Sequence, residues 1–186
     1  MENTALLIID IQNDYFPGGK LALDKPQIAA NNTARLLDYF RVNGLPLVHI
    51  QHENLNPDLP FMLPDSEGQK IHPSVRPDQG ETLITKHYPN AFWSTNLEQH
   101  LKTQRIENLV IAGMMTHMCV SSTTRAAMER GFNVSLIADA CATRSLEFNG
   151  QLIPAETVHQ TALAELTLIA RIESLESFLN RQAIAA

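Results

Sequence analysis

The chain alternates between short apolar runs and longer segments in which apolar residues recur at the spacing of a helix. The first run, residues 5–9, contains no polar position, which is typical of a β-strand covered on both faces. Residues 26–42 carry Leu36, Leu37 and Phe40 at helical spacing, and Gly44 follows the segment. The same patterns predict strands over 5–9, 45–50, 82–85, 109–112, 134–138 and 168–170, and helices over 26–42, 94–103, 118–130, 154–166 and 172–180.

This order of strands and helices indicates the fold class. Strands that alternate with helices form βαβ units, which give a parallel sheet with helices on both faces. Because the crossovers are right-handed, we expect a three-layer α/β/α domain with a doubly wound, six-stranded sheet in the Rossmann-like order 3-2-1-4-5-6. A length of 186 residues fits a single domain, residues 1–186. The proline-rich stretch 54–79 has little periodicity, so it is predicted to be a long functional loop.

The composition of the chain argues against several classes of protein and of binding partner. Hydrophobic residues make up 44% of the chain, which excludes a disordered protein. The net charge of −6 argues against a nucleic-acid partner or an anionic membrane surface. The chain starts without a basic segment, and the apolar run 5–9 is too short for a signal peptide or a membrane span. We therefore expect a cytoplasmic protein with reduced thiols that acts on a small molecule.

Two residues at predicted strand ends are candidates for chemistry. Asp10 directly follows the first strand, and Cys119 follows the fourth strand after a short turn and opens a helix. In the predicted sheet order these two strands are neighbours, so both residues are expected to face the crevice where such folds bind ligands. A helix start favours a thiolate, and a nearby carboxylate can take the thiol proton. The alternatives are that Cys119 is an inert buried side chain and Asp10 a turn residue.

Lys86 directly follows the predicted third strand. Beside Cys119 and Asp10, its charge would lower the pKa of the thiol and stabilise the carboxylate. The third strand is farther from the crevice than the first and fourth, however, and a lysine at a strand end is commonly a solvated charge. Strand order alone therefore does not select this residue.

Several segments, taken in order, resemble one enzyme family. The chain reads LIIDIQNDYF over 7–16, TKH over 85–87, AGMMTHMCV over 112–120 and ADACAT over 138–143. These segments are similar to the opening motif, the lysine motif, the nucleophile segment and the segment after the fifth strand of the isochorismatase-like cysteine hydrolases. That family includes nicotinamidases, N-carbamoylsarcosine amidase and isochorismatases.

The resemblance implies an Asp-Lys-Cys triad formed by Asp10, Lys86 and Cys119. Asp10 would be the general base and acid, Lys86 would hold the pair electrostatically, and Cys119 would attack a carbonyl to form an acyl-enzyme that water clears. The family also carries a non-proline cis peptide before the cysteine, which the resemblance places between Met114 and Met115. The backbone N–H groups of Met115 and Cys119 would then form the oxyanion hole.

One departure from the family concerns metal binding. Nicotinamidases bind a metal through an Asp-x-His pair after the second strand and a later histidine. Here Gln51 and Glu53 replace that pair, with His52 between them, and His72 is a candidate for the later ligand. These residues are too few for a three-ligand site, so we expect no metal. No Gly-x-Gly-x-x-Gly motif follows the first strand, so we also expect no dinucleotide and no other cofactor.

Residues near the motifs are candidates for the substrate pocket. The aromatic residues among them could stack on a flat substrate or close an apolar pocket, although the single tryptophan could equally be a half-buried core residue. Gln12 could orient Asp10 or contact substrate. His52 could line the pocket or be a loop histidine, and His117 could face either the substrate or the neighbouring helix. The predicted pocket residues are Gln12, Phe16, His52, Phe92, Trp93 and His117.

These features predict a cofactor-free hydrolase that cleaves a C–N bond of a small amide or carbamoyl compound. The alternative within the family is the hydrolysis of a vinyl ether, as in isochorismatases; some of these lack the cysteine, so Cys119 favours amide chemistry. An alternative from another class is a redox-sensing or ligand-binding module that exposes a thiol. The resemblance further implies a homo-oligomer, either a dimer or a tetramer.

Overall fold

The strands and helices form the three layers that the alternating pattern predicts. The computed structural model describes residues 1–185. Its main sheet consists of β1 (Thr4–Ile9), β2 (Leu47–His52), β3 (Thr82–Lys86), β4 (Asn108–Met114), β5 (Asn133–Ala142) and β8 (Arg171–Glu173). The helices are α1 (Pro26–Val42), α2 (Leu97–Thr103), α3 (Ser121–Glu129), α4 (Ala155–Leu166) and α5 (Leu175–Ala185).

All five strand pairs of this sheet are parallel, and the strand order is β3-β2-β1-β4-β5-β8. The predicted fold class and strand order are therefore confirmed. The sixth strand of the sheet is numbered β8 because a short antiparallel hairpin, β6 (Leu146–Phe148) and β7 (Gln151–Ile153), precedes it in the chain. Sequence patterning did not predict this hairpin.

The position of β1 in the sheet explains why residues 5–9 are all apolar. Alternate residues of a strand point to opposite faces of the sheet. Leu6 and Ile8 belong to the core on the side of α1 and α5, whereas Leu7 and Ile9 belong to the core beneath α2 and α3. Both faces are covered, so all six residues of the strand are buried.

The ends of β1 and β4 approach each other closely. Gly113 pairs with Ile9 and has a φ of 139°. A Cβ atom at Gly113 would overlap the backbone carbonyl of Ile9, so only glycine fits this position. This approach brings the residue after β1, Asp10, next to the segment that leads from β4 to α3.

Two helix starts differ from the prediction. Helix α2 begins at Leu97 rather than at residue 94, because Ser94 has a positive φ of 55° that a helix cannot include. Helix α3 begins at Ser121 rather than at residue 118, because a π-helical turn, Thr116–Val120, precedes it. Cys119 therefore lies inside this wider turn.

The last strand of the sheet lies later in the chain than predicted. The last strand is Arg171–Glu173, not 168–170, because Ala170 and Ile169 donate backbone hydrogen bonds to Leu166 and so complete the end of α4. Ile172, which was assigned to the last helix, pairs with Leu136 in the sheet. No helix within residues 1–185 is long and apolar enough to cross a membrane.

Candidate active site

Asp10, Lys86 and Cys119 lie together at the carboxyl edge of the sheet. Asp10 directly follows β1, Lys86 is the last residue of β3, and Cys119 follows β4. The Lys86 Nζ atom lies 2.6 Å from Asp10 Oδ2 and 3.3 Å from Cys119 Sγ. Asp10 and Lys86 have no exposed surface, and Cys119 is 6% exposed. The side chain of Lys86 thus reaches past the end of β2, which separates β3 from β1.

The ammonium group of Lys86 has a third neighbour, His52 at the end of β2. Its Nδ1 atom lies 3.1 Å from Lys86 Nζ. An ammonium group only donates, so His52 Nδ1 accepts, and the proton of the neutral imidazole is on Nε2. Burial, followed by the positive charge of Lys86, lowers the pKa of His52 to about 4, so this imidazole is neutral at neutral pH.

Burial is the largest influence on the ionisation of Cys119 and of Lys86. Burial alone would lower the pKa of Lys86, but its contacts with the Asp10 carboxylate and the Cys119 sulfur raise it on balance, so Lys86 is an ammonium ion. Burial, reinforced by the negative charge of Asp10, raises the pKa of the Cys119 thiol to about 12, and Lys86 offsets only part of this rise. Burial thus opposes the stabilisation of a thiolate that the helix start and Lys86 were expected to provide.

The two carboxylate oxygens of Asp10 differ in their contacts. Its Oδ2 atom pairs with Lys86, whereas Oδ1 has no hydrogen-bond donor among the residues that the structure describes. A buried carboxylate oxygen without a donor is costly, so such atoms are uncommon outside sites that bind a ligand or move a proton.

The segment from β4 to Cys119 has the backbone geometry that the family resemblance implies. The peptide bond between Met114 and Met115 is cis. Cys119 lies in the π-helical turn that follows, in which the N–H groups on either side of it, those of Met118 and Val120, donate to the carbonyl of Met115. Met115 and Cys119 both line the same cavity.

This cavity opens above the sulfur atom and has a volume of about 390 Å³. Tyr15, His52 and Cys119 lie in its wall, together with two asparagines and His87. The lining residues include no lysine or arginine. The remaining wall is largely apolar and consists mainly of Leu55, Leu59, Phe61, Pro89, Met115 and Met118.

Gln12 supports the site rather than lining it. Its side chain is fully buried, donates to the carbonyls of His52 and Gln69, and accepts from the N–H of His52 at 2.8 Å. Gln12 therefore fixes the end of β2 and the long loop 54–79 against β1. The predicted substrate contact is replaced by a positioning role.

The structure places the three predicted aromatic pocket residues outside the cavity. Phe16 stacks on His72 with a centroid distance of 3.7 Å, in a separate surface depression. Phe92 is buried against Phe132, because its ring belongs to the core beneath α2 and α3. Trp93 is 58% exposed and contacts the rim residue Tyr88 edge-on, so it is not a core residue either.

The two predicted histidines differ in position. His52 lines the cavity, as described above. His117 does not line it, since its Nδ1 atom is hydrogen-bonded to Thr143 Oγ1 at 2.5 Å at the end of β5. His117 and Cys119 are two positions apart in a helical turn, so their side chains point to different sides of it.

Sequence reasoning missed Tyr15, which lines the cavity and is 2% exposed. It lies in the short helical turn Asn13–Tyr15 after β1. The available signal was its position five residues after Asp10, inside the opening motif. The pattern of the motif instead favours its neighbour Phe16, which lies outside the cavity.

The residues that correspond to the nicotinamidase metal site do not fit a metal ion. Gln51 donates its amide group to the Gln69 carbonyl, and Glu53 accepts from the Gln69 side chain. The His72 ring is stacked on Phe16, and its Nδ1 atom is hydrogen-bonded to Ser74. Within residues 1–185, no three His, Cys, Asp or Glu side chains are grouped so that they could hold a metal.

Comparison with known proteins shows which family the chain belongs to. The family model of the isochorismatase domain matches residues 4–176, almost the entire chain. The chain belongs to the isochorismatase family. It is an isochorismatase-family hydrolase, and its Asp10, Lys86 and Cys119 occupy one buried cluster within the matched domain.

Similar proteins within the isochorismatase family include both uncharacterised and named members. The isochorismatase family protein YddQ of Bacillus subtilis is 46% identical over 178 residues, which cover 95% of this chain and 99% of YddQ. The crystal structure of an isochorismatase from Pseudomonas putida is 35% identical, with a TM-score of 0.88, and the match covers 94% of this chain and 89% of that one. The nicotinamidase of Escherichia coli is 27% identical over 179 residues, which cover 76% of this chain and 84% of that enzyme.

Proposed function

We propose that the protein is a cysteine hydrolase that cleaves a C–N bond of a small, uncharged amide or carbamoyl compound without a cofactor. The observation that carries this proposal is the buried cluster of Asp10, Lys86 and Cys119 beside a largely apolar cavity. A thiol, a carboxylate and an ammonium in mutual contact supply a nucleophile, a proton acceptor and a fixed positive charge.

The first half of the reaction forms a thioester. As the sulfur of Cys119 attacks the carbonyl carbon, Asp10 takes the thiol proton, so no free thiolate has to persist in the buried site. The negative charge that develops on the carbonyl oxygen is received by the backbone N–H groups of Met115 and Cys119. Lys86 compensates the negative charge shared by Asp10 and the sulfur.

The second half releases both products. The protonated Asp10 gives its proton to the substrate nitrogen, the C–N bond breaks, and the amine or ammonia leaves. A water molecule then attacks the thioester while Asp10 takes one of its protons. When the C–S bond breaks, this proton returns to the sulfur, so the acid product leaves and the starting thiol is restored.

Two features of the cavity favour this chemistry over the alternatives. A vinyl-ether substrate of the isochorismate type carries carboxylates, and these need cationic partners that the cavity lining does not provide. A redox-sensing thiol depends on a lowered pKa, whereas the pKa of Cys119 is raised. The similarity to a nicotinamidase also supports an amide substrate.

The test is a panel of small amides, carbamoyl compounds and vinyl ethers, assayed with the wild-type protein and with Cys119→Ala, Cys119→Ser and Cys141→Ser. We expect hydrolysis of at least one amide or carbamoyl compound, with an acyl adduct on Cys119 visible by intact-protein mass spectrometry. Both substitutions at Cys119 abolish this activity. The control Cys141→Ser retains it, because Cys141 is a second buried thiol in β5, away from the cluster. Undiminished turnover by Cys119→Ala would exclude the mechanism.

We further propose that the protein is a cytoplasmic homo-oligomer. Large apolar side chains near the cavity are exposed, among them Leu55, Tyr88 and Trp93, and exposed apolar surface of this kind commonly lies in an interface. Sedimentation velocity at micromolar concentration is expected to give a dimer or tetramer, and a monomer would contradict this proposal.

A further inference from the structure

Tyr15 combines a core position with a place in the cavity wall. Its backbone N–H donates to Gln12 and its carbonyl accepts from Leu23, so the turn that carries it is held on both sides. Its ring belongs to the core on the α1 side of the sheet, and the residue is 2% exposed. The same residue lines the cavity above Cys119. A phenylalanine would fill this core equally well, so packing does not account for the hydroxyl group.

The Tyr15 hydroxyl makes no hydrogen bond to another side chain within residues 1–185, and it is not among the fully enclosed atoms that lack a partner, so it is accessible from the cavity. Tyrosine hydroxyls of largely buried residues normally have a hydrogen-bond partner, which a bound molecule can supply here. Burial raises the pKa of the phenol, so the group keeps its proton. Tyr15 and Cys119 line the same cavity, so a molecule bound above the sulfur atom lies beside Tyr15.

Two other polar side chains of the cavity wall, those of Asn54 and His87, form hydrogen bonds within the protein. The side-chain amide of Asn54 donates to the carbonyls of Leu59 and Phe61, and its oxygen accepts from the N–H of Asn56. The Nδ1 atom of His87 is hydrogen-bonded to the carbonyl of Glu53. The hydroxyl of Tyr15 is therefore a polar group that the protein leaves free for a bound molecule.

We propose that Tyr15 is a specificity-determining residue whose hydroxyl donates a hydrogen bond to an acceptor atom of the substrate other than the scissile carbonyl. The scissile carbonyl has its own donors, the N–H groups of Met115 and Cys119, in the function proposed above, on which this inference rests. The substrate class is thus a small, neutral amide that carries a second acceptor, such as a ring nitrogen or a second carbonyl.

The test compares benzamide with the three pyridine carboxamides, which add one ring nitrogen at different positions. Dissociation constants are measured by calorimetry on Cys119→Ala, which binds without turning over, and on the same protein with Tyr15→Phe or Tyr88→Phe. Tyr88 is a matched control because it also lines the cavity but is 52% exposed. We expect at least one pyridine carboxamide to bind about tenfold tighter than benzamide when Tyr15 is present.

Tyr15→Phe is expected to remove this tenfold preference and to leave the affinity for benzamide unchanged, whereas Tyr88→Phe changes neither. An equal loss of affinity for all four compounds would assign the hydroxyl to the common carbonyl and overturn the proposal. A preference that survives in Tyr15→Phe, no preference at all, or no binding would overturn it as well. Turnover of the wild-type protein on the same compounds is measured separately, so a failure of amide hydrolysis is distinguished from a failure of this assignment.

Discussion

The buried ion pair between Asp10 and Lys86 allows a quantitative prediction. Their charged atoms are 2.6 Å apart, and neither side chain is exposed. At an effective dielectric constant of about 20, this separation corresponds to an attraction of about 6 kcal/mol, which desolvation of both groups largely offsets. Removing one partner leaves the other charge buried and unpaired. We therefore expect Lys86→Met and Asp10→Asn each to lower the free energy of unfolding by about 3–5 kcal/mol.

The double variant is expected to be destabilised much less than the sum of the two single variants, by at least about 2 kcal/mol, because it leaves no unpaired charge. Urea denaturation at pH 7 of the wild-type protein and the three variants measures this coupling. The exposed pair Lys70 and Glu67 is the matched control, with an expected coupling of at most about 0.5 kcal/mol. Additive effects for the buried pair, within about 0.5 kcal/mol, would refute the reasoning.

Three further predictions follow from individual positions. Iodoacetamide is expected to label Cys119 faster than Cys141 at neutral pH, because the ammonium of Lys86 lies beside Cys119 and stabilises a developing thiolate, whereas the nearby carboxylate of Asp139 disfavours a thiolate at Cys141. Equal slow labelling, read by peptide mass, would contradict this. Gly113→Ala is expected to cost at least about 3 kcal/mol or to prevent folding, and Gly131→Ala, with open space around a φ of 85°, about 1 kcal/mol by urea denaturation. Hydrogen bonds from the guanidinium group of Arg41 lower the pKa of Glu81 from 4.5 to about 2. The contribution of this carboxylate to the free energy of unfolding is therefore present above pH 4.5 and is lost as the pH falls towards 2. Glu81→Gln is expected to lower the free energy of unfolding by about 1–2 kcal/mol at pH 7, after allowance for solvent screening, and by almost nothing near pH 2.

The sheet could be predicted from the sequence because its central strands are covered on both faces. An uninterrupted apolar run such as 5–9 fits a buried parallel strand, and alternation with helices then determines the strand order. The hairpin β6–β7 was not predicted because each of its strands has only three residues. The side chains of Phe148 and Leu152 are about 70% exposed, so the hairpin shows no alternation of buried and exposed positions. The dipeptide Asn149–Gly150, in which both residues have positive φ, was the usable signal.

Prediction of the site was accurate where strand ends determine position and failed where loops and turns do. Asp10 and Cys119 come together because β1 and β4 are neighbours. Strand order could not select Lys86, since its contact depends on a long side chain that passes the end of β2. Phe16 and His117 were misplaced because the turns after β1 and β4 decide which side chain faces the cavity, and a π-helical turn leaves no clear sequence pattern.

The charge balance of the cluster links its reaction to its substrate. Asp10 and Lys86 cancel each other, and the thiol is neutral, so the resting site carries no net charge despite its burial. A neutral substrate can enter such a site without adding a charge. In the proposed mechanism, proton transfer from the thiol to Asp10 as sulfur attacks moves the negative charge from Asp10 to the carbonyl oxygen and leaves the net charge of the site unchanged. An anionic substrate would instead add a charge beside a carboxylate in a cavity whose lining includes no lysine or arginine. The proposed selectivity for uncharged amides is therefore a consequence of the same burial that raises the pKa of Cys119.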